Sequence, residues 1–224
     1  YEMDAEGNNV RKISNLQLED SWMSSRKKGT EMIVTGRIEK LRQHLFLINL
    51  GTGSYKQLSY DTVSYTNDPL FLPSGNEIIL RYRPDRKLRQ TVFDELWMVD
   101  IYGNPIRQLT FFPADTTTAW FDYHAGPPQW NSKYQFISYL SRQNKQTQIY
   151  AFTLNGSKQW QITKDELSSG YHAWSPDGEW LVMDRSTNDG KDFDIYLMQY
   201  ATGKITRLTN DIKTEQAPVF VKTK

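Results

Sequence analysis

Residues 173–183 read Ala-Trp-Ser-Pro-Asp-Gly-Glu-Trp-Leu-Val-Met, and weaker copies of this stretch recur along the chain. Each copy is followed by a strand-like segment similar to Ile195-Tyr196-Leu197-Met198, and then by an ending similar to Leu208-Thr209. A unit that recurs about every 45 residues and holds several short strands is typical of a propeller blade. The sequence therefore predicts an all-β protein with the architecture of a β-propeller.

One repeat indicates how its strands are made. Residues 172–174 predict a first strand. Ser175-Pro176-Asp177-Gly178 predicts a tight turn, because proline presets φ, aspartate bonds back to the backbone and glycine closes the turn. Alternating apolar residues in 179–184 predict a second strand, and 194–200 and 205–209 predict the third and fourth. The repeat is thus a four-stranded antiparallel blade, with strands a to d counted from the inside of the propeller outwards.

The same pattern divides the whole chain into blades. Complete blades are predicted at 19–59, 69–110, 128–163 and 172–209, with first elements aligned at Ser21-Trp22, Leu70-Phe71, Gln129-Trp130 and Ala173-Trp174. Residues 1–14 predict a c–d hairpin and 217–221 an a strand, which are complementary parts of one further blade. Joining both termini in one blade removes exposed sheet edges. We therefore expect a single domain, 1–224, of about five blades with one shared by the termini, or a fragment of a larger propeller.

Composition excludes several classes of function. The chain has no cysteine, so it has no disulfide, no thiolate nucleophile and no thiolate metal site. Its net charge of +1 argues against a general polyanion binder. No apolar run reaches the roughly 18 residues of a membrane span. No signal peptide is present, but the chain opens in mid-blade, so we expect that an upstream segment has been removed or left out.

Two long insertions mark one face of the predicted propeller. In antiparallel blades the b–c and d–a connections share one face, so the insertions at 83–94 and 111–127 emerge side by side. The first is basic and the second aromatic, which suits an acidic peptide, a carboxylate-bearing sugar or, least of all, a single-stranded nucleic acid. The alternative is that the charges are solvated and the aromatic residues pack beneath a long loop. The candidate binding residues are Arg81, Arg83, Arg86, Lys87, Arg89, Phe112, Trp120, Tyr123, His124 and His172.

These residues predict no catalytic group, metal or cofactor. His124 and His172 lie near the start of a strands, where they could approach one another, but two imidazoles need further ligands that no HxH or HxxxH spacing supplies. The alternative is that both line a wet axial channel. Asp192 with Asp194 is interpreted as ordinary solvated charge, and His44 is expected on an outer surface. No glycine-rich phosphate loop before a helix and no Gly-x-Ser-x-Gly elbow occurs.

The repeat resembles that of TolB-like β-propellers, which reads Pro-x-Trp-Ser-Pro-Asp-Gly, an apolar strand, Asp-Ile-Tyr-x-Met and Leu-Thr. The resemblance covers nearly the whole chain; it is close at 174–178, 194–198 and 208–209, partial at 128–130 and 69–75, and weakest at 24–29. It implies a periplasmic or surface module of Gram-negative bacteria whose axial and top-face loops bind a protein partner. The oligogalacturonate lyase has similar repeats and is implied to hold a metal on axial histidines, but its cluster of several histidines is not reproduced here.

We therefore expect a non-catalytic propeller that binds a protein or peptide partner in the bacterial cell envelope, in the periplasm or outside the cell. The alternative is a metal-dependent lyase, or a binder, acting on acidic oligosaccharides. Under either function no nucleic acid partner and no membrane span are expected.

Overall fold

The computed structural model describes residues 1–4, 6–38, 41–88, 94–111, 124–143, 146–187, 192–211 and 213–221. The protein is all-β, and its strands form four antiparallel sheets, each of which is one propeller blade. We number the blades 1 to 4 in chain order. Blades 1 and 2 belong to one compact unit, Tyr1–Asp115, and blades 3 and 4 to another, Thr116–Val221.

The strand bounds follow the predicted four-strand repeat. Blade 1 contains β1 (Gln17–Leu18), β2 (Ser24–Arg26), β3 (Glu31–Ile38), β4 (Leu41–Asn49) and β5 (Tyr55–Gln57). Blade 2 contains β6 (Tyr65–Phe71), β7 (Glu77–Arg83), a 3₁₀ turn (Arg86–Leu88), β8 (Glu95–Asp100) and β9 (Pro105–Gln108). Blade 3 contains β10 (Gln129–Asn131), β11 (Phe136–Gln143), β12 (Gln146–Thr153) and β13 (Gln159–Gln161). Blade 4 contains β14 (Ser168–Trp174), β15 (Trp180–Ser186), β16 (Phe193–Gln199) and β17 (Lys204–Arg207). Among these described elements, none is a helix long and apolar enough to cross a membrane.

In each unit, one apolar cluster lies between the two blades. In the first unit Ile33 and Leu45 of blade 1 pack with Ile78 and Leu80 of blade 2, and all four are fully buried. In the second unit Leu140 and Ile149 of blade 3 pack with Leu181, Met183 and Met198 of blade 4. Burying one such side chain contributes about 1.5–3 kcal/mol, so facing sheets hold neighbouring blades together.

The Leu-Thr-like ending of each repeat has a structural purpose. In every blade the hydroxyl at this ending accepts a hydrogen bond from the backbone N–H of the residue 14 positions earlier, on the third strand. The four pairs are Leu45–Ser59 at 2.8 Å and Leu96–Thr110, Ile149–Thr163 and Ile195–Thr209, each at 2.9 Å. A side chain therefore completes the pairing where the short fourth strand has ended.

The Trp-Ser-Pro-Asp-Gly turn behaves as its sequence predicts. The Asp177 carboxylate accepts the Glu179 N–H at 3.0 Å and the Ser175 hydroxyl, and the Ser175 hydroxyl oxygen accepts the Trp180 N–H at 2.9 Å. Gly178 has φ of +72°, and a Cβ there would lie 2.8 Å from two side-chain atoms of blade 3. The turn therefore needs glycine both for its backbone and for its close approach to blade 3.

Blade 1 differs from its predicted alignment. Its first strand is in two pieces, because β1 and β2 both pair with β3. Ser25 pairs with Met32, as Trp174 pairs with Leu181 in blade 4, and Met32 and Leu181 are each the second residue of their strand. The alignment of Trp22 with Trp174 is therefore three residues out of register. The turn that follows in blade 1 lacks the Ser-Pro-Asp-Gly residues on which the alignment of the first strand depended.

The described residues form four blades, and they do not form the predicted fifth blade shared by the termini. The described residues of 1–14 form one antiparallel bridge, Glu2–Arg11. Residues 213–221 contain no strand, although the Ala217 N–H donates to the Asp184 carboxylate at 2.7 Å. The apolar alternation in 217–221 is too short to specify pairing without a second strand beside it. The single domain 1–224 stays a prediction.

Candidate binding face

Arg81 and Arg83 lie on β7 at the predicted face, but their guanidinium groups point into a buried charge network. Arg81 Nε is 3.2 Å from Asp68 Oδ2, and Arg83 Nε is 3.0 Å from Asp94 Oδ1. The Arg83 guanidinium also lies 4.8 Å from the centre of the Tyr65 ring, and Arg83 is only 3% exposed. These cations are neutralised inside blade 2, so a ligand could use them only by opening the network.

Asp68 is the residue that sequence reasoning did not connect with these arginines. A register shift in β6 between Asn67 and Leu70 gives Asp68 a φ of +52°. Its carboxylate then accepts the Trp22 N–H of blade 1 at 2.9 Å and faces Arg81. Burial raises the pKa of Asp68, and the Arg81 charge opposes that shift. The Asp68 carboxylate therefore links blade 1 to blade 2 and also pairs with the Arg81 cation.

Arg86 and Lys87 lie on the 3₁₀ turn of the same face. The Arg86 N–H donates to the Val63 carbonyl at 2.9 Å, and its Nη2 donates to the Ser64 carbonyl at 2.7 Å. These bonds fasten the b–c connection of blade 2 to the d–a link between blades 1 and 2. Lys87 is exposed beside them, so of the described candidate arginines and lysine it is the most accessible cation.

Three exposed apolar side chains accompany this cation. Tyr60 is 70% exposed, Val63 55% and Leu88 43%. Because Arg86 bonds the two connections together, these residues lie on two joined backbone segments, which we call the 60–64/86–88 surface. The sequence pattern did not mark residues 60–64 as a site, because the link between blades 1 and 2 is short. The available signal was apolar Tyr60 and Val63 in a segment with no strand periodicity.

His44 lies behind this surface rather than outside the protein, so its predicted outer position is wrong. It is 2% exposed, and it lies close enough to Arg86 and Asp61 for their charges to act on it. Burial and the nearby Arg86 charge lower the pKa of His44, while Asp61 opposes the shift. His44 is therefore neutral at neutral pH and belongs to the buried residues near the 60–64/86–88 surface.

The two candidate histidines of the second unit are also buried. His172 Nε2 is 2.9 Å from Ser138 Oγ, and the Trp174 Nε1–H donates to the same hydroxyl at 2.9 Å. Burial lowers the pKa of His172 to about 3. His124 is 5% exposed. His172 therefore joins blade 3 to blade 4 as a neutral ring.

The metal alternative needs ligands that converge. Within the part of the chain that the structure describes, no group of three or more His, Cys, Asp or Glu residues is placed to hold a metal ion. The remaining candidate residues, Arg89, Phe112, Trp120 and Tyr123, lie outside the described residues. Their part in binding stays a prediction.

Comparison with known proteins gives the fold but no sequence family. The chain matches no protein-family model. No curated protein matches its sequence. Among solved structures, a putative TolB from Agrobacterium tumefaciens is similar with a TM-score of 0.66 and 15% identity, over 88% of this chain and 64% of that one. TolB from Acinetobacter baumannii gives a TM-score of 0.66 and 14% identity, over 87% of this chain and 44% of that one.

An oligogalacturonate lyase from Vibrio parahaemolyticus is also similar, with a TM-score of 0.55 and 13% identity, over 85% of this chain and 55% of that one. The fold is that of a β-propeller. The chain spans less than two thirds of the length of each of these three proteins. At such identities the likeness carries the fold alone.

Proposed function

We propose that the chain is a non-catalytic β-propeller that binds a protein or peptide partner in the bacterial cell envelope. The observation that carries this proposal is the 60–64/86–88 surface, where Tyr60, Val63, Leu88 and Lys87 are exposed on two backbone segments that Arg86 joins. The fold likeness to two proteins named TolB supports an envelope compartment.

The physical argument rests on pre-organisation. Protein interfaces combine an apolar centre with a polar rim, and a few residues supply most of the binding free energy. Here both Arg86 hydrogen bonds to Ser64, at 3.1 and 2.7 Å, join the two connections before any partner binds. A partner would therefore lose little free energy in ordering this surface.

The direct test is site-specific photo-crosslinking from positions 63 and 88, in an envelope extract of the source bacterium. A captured protein is then produced pure, and its Kd is measured for the unmodified chain, Val63→Ser and Leu88→Ser. We expect each substitution to weaken binding about tenfold, because truncating a central apolar contact costs more than about 1 kcal/mol. Both side chains are exposed, so the melting temperature should stay nearly unchanged.

The matched control is Tyr102→Ser. Tyr102 is 59% exposed and lies in the turn after β8 of the same blade, at the opposite end of the strands from the 60–64/86–88 surface. It should leave the Kd unchanged. Equal losses from Tyr102→Ser and Leu88→Ser would contradict this binding site.

The same assay distinguishes the role of the exposed Lys87 from that of the buried Arg83. Lys87→Glu should weaken binding of an acidic partner without loss of stability. Arg83→Glu should instead destabilise the fold by about 3–5 kcal/mol, because it breaks a buried pair and places two carboxylates together.

Formation of unsaturated product from oligogalacturonate with added divalent metal would overturn the non-catalytic proposal in favour of a lyase.

A further inference from the structure

A polar cleft of about 500 Å³ opens at the end of blade 4, in the second unit. It is lined by parts of β15, β16 and β17 and by residues just outside these strands. The lining residues that matter here are Arg185, Asp192, Asp194, Tyr196, Arg207 and Asp211. It uses none of the residues of the 60–64/86–88 surface, so either site can be lost without the other.

Strand register places four of these side chains on one face of blade 4. Arg185 pairs with Asp194, and Tyr196 pairs with Arg207. Side chains of directly paired residues point to the same side of a sheet, and so do those of residues two apart, such as Asp194 and Tyr196. Ser186, the next residue along β15, also lines the cleft.

Two buried polar atoms on this face have no partner among the described residues. Arg185 uses Nη1 and Nη2 to bind the Asp165 carboxylate, but its Nε–H is unpaired. Asp194 accepts from Arg207 with Oδ2, but its Oδ1 is unpaired. Arg185 is 2% exposed and Asp194 8%. A buried donor or acceptor without a partner is rare in folded proteins, so this adjacent donor and acceptor point to a missing ligand group.

The charge of the cleft selects the kind of ligand. Its lining carries the carboxylates Asp192, Asp194 and Asp211 against the guanidiniums Arg185 and Arg207, and Arg185 is neutralised by Asp165 as well. The lining of the cleft therefore carries more negative than positive charge, which favours a cation that donates hydrogen bonds. Beside that cation, the Arg185 Nε–H requires an acceptor such as a carbonyl oxygen.

We propose that this cleft binds a lysine or arginine side chain of a peptide segment, with the cation at Asp194 and a peptide backbone carbonyl on Arg185 Nε–H. Asp192 and Asp211 are exposed at the rim and add attraction for the same cation. The Tyr196 ring, 5.5 Å from the Arg185 guanidinium, forms the wall along which the aliphatic part of the bound side chain packs.

The test is calorimetric titration of the full chain with acetylated and amidated Ala-Lys-Ala, compared with Ala-norleucine-Ala and Ala-Glu-Ala. The lysine peptide should bind saturably, and more weakly as salt is raised. Asp192→Asn and Asp211→Asn should each weaken it about two- to fivefold, as removal of one exposed charge does. n-Butylammonium, which has the cation without the carbonyl, should bind more weakly than the peptide.

The matched control is Glu179→Gln, which removes one half-exposed carboxylate from the turn of blade 4, outside the cleft. It should bind the lysine peptide as the unmodified chain does. The proposal is overturned if the lysine peptide does not bind at millimolar concentration or if the norleucine peptide binds equally well. It is also overturned if both Asn variants bind like the control, in which case the unpaired atoms are satisfied by water alone.

Discussion

Asp184 provides a stability test whose sign and size follow from its surroundings. Asp184 is 1% exposed; its Oδ2 accepts the Ala217 N–H at 2.7 Å, while Oδ1 faces Gly170, where a Cβ would lie 1.7 Å from that oxygen. Burial raises the pKa of Asp184 from 3.8 to about 7, although the Ala217 and Tyr171 amides oppose the shift. Between these values the folded protein holds a proton that the unfolded chain has released. Stability due to Asp184 therefore falls as pH rises through this window.

The magnitude follows from the size of the shift. Each unit of pKa corresponds to about 1.36 kcal/mol, so raising pH from 5 to 8 should lower the free energy of unfolding by about 3 kcal/mol through Asp184 alone. Asp184→Asn cannot ionise and should lack this component. Relative to the unmodified protein, the variant should thus gain about 3 kcal/mol between pH 5 and pH 8.

The assay is urea unfolding followed by tryptophan fluorescence at both pH values, so that other titrating groups cancel in the double difference. Asp211→Asn, an exposed aspartate in the same unit, is the matched control and should give parallel curves. Parallel curves for Asp184→Asn as well, within about 0.5 kcal/mol, would refute the reasoning, because they would mean that Asp184 ionises alike in both states.

Two further substitutions test how the blades are built. Thr163→Val removes the buried acceptor of the Ile149 N–H and should cost about 1–3 kcal/mol in urea unfolding, whereas Thr202→Val in an exposed turn should cost little; similar losses would count against the hydroxyl pairing. Gly178→Ala and Gly203→Ala share a positive φ, at +72° and +71°, but only the first meets side chains of blade 3. Gly178→Ala should therefore be about 1–3 kcal/mol more destabilising by thermal unfolding, and equal losses would show that the blades do not approach closely there.

The propeller fold could be predicted because its signals are local. The turn at 175–178 follows from proline, aspartate and glycine chemistry, and the strand order follows from repetition. The position of Ser25 could not be predicted, because the turn after it lacks these residues and only cross-strand pairing with Met32 sets the register. The hydroxyl endings were visible as a pattern, but their role depends on a backbone N–H 14 residues earlier.

The candidate site was less predictable because a charge in a sequence does not reveal its partner. Arg83 was selected as a binding cation, and it lies 3.0 Å from Asp94 in a buried pair. Asp194 was interpreted as a solvated charge, yet its pairing with Arg185 across two strands leaves it 8% exposed. Both outcomes depend on which residues the sheet brings opposite each other, and the loop-like composition around them gives no sign of this.

The 14-residue hydroxyl pairing also restricts how blades of this kind can vary. A residue added to or removed from the hairpin between the third and fourth strands would carry the hydroxyl away from its N–H. Length changes should therefore be tolerated better in the b–c and d–a connections, which lie at the other end of each blade. The pairing thus leaves one end of each blade free to accept new loops, and a designer who grafts a binding segment would place it there.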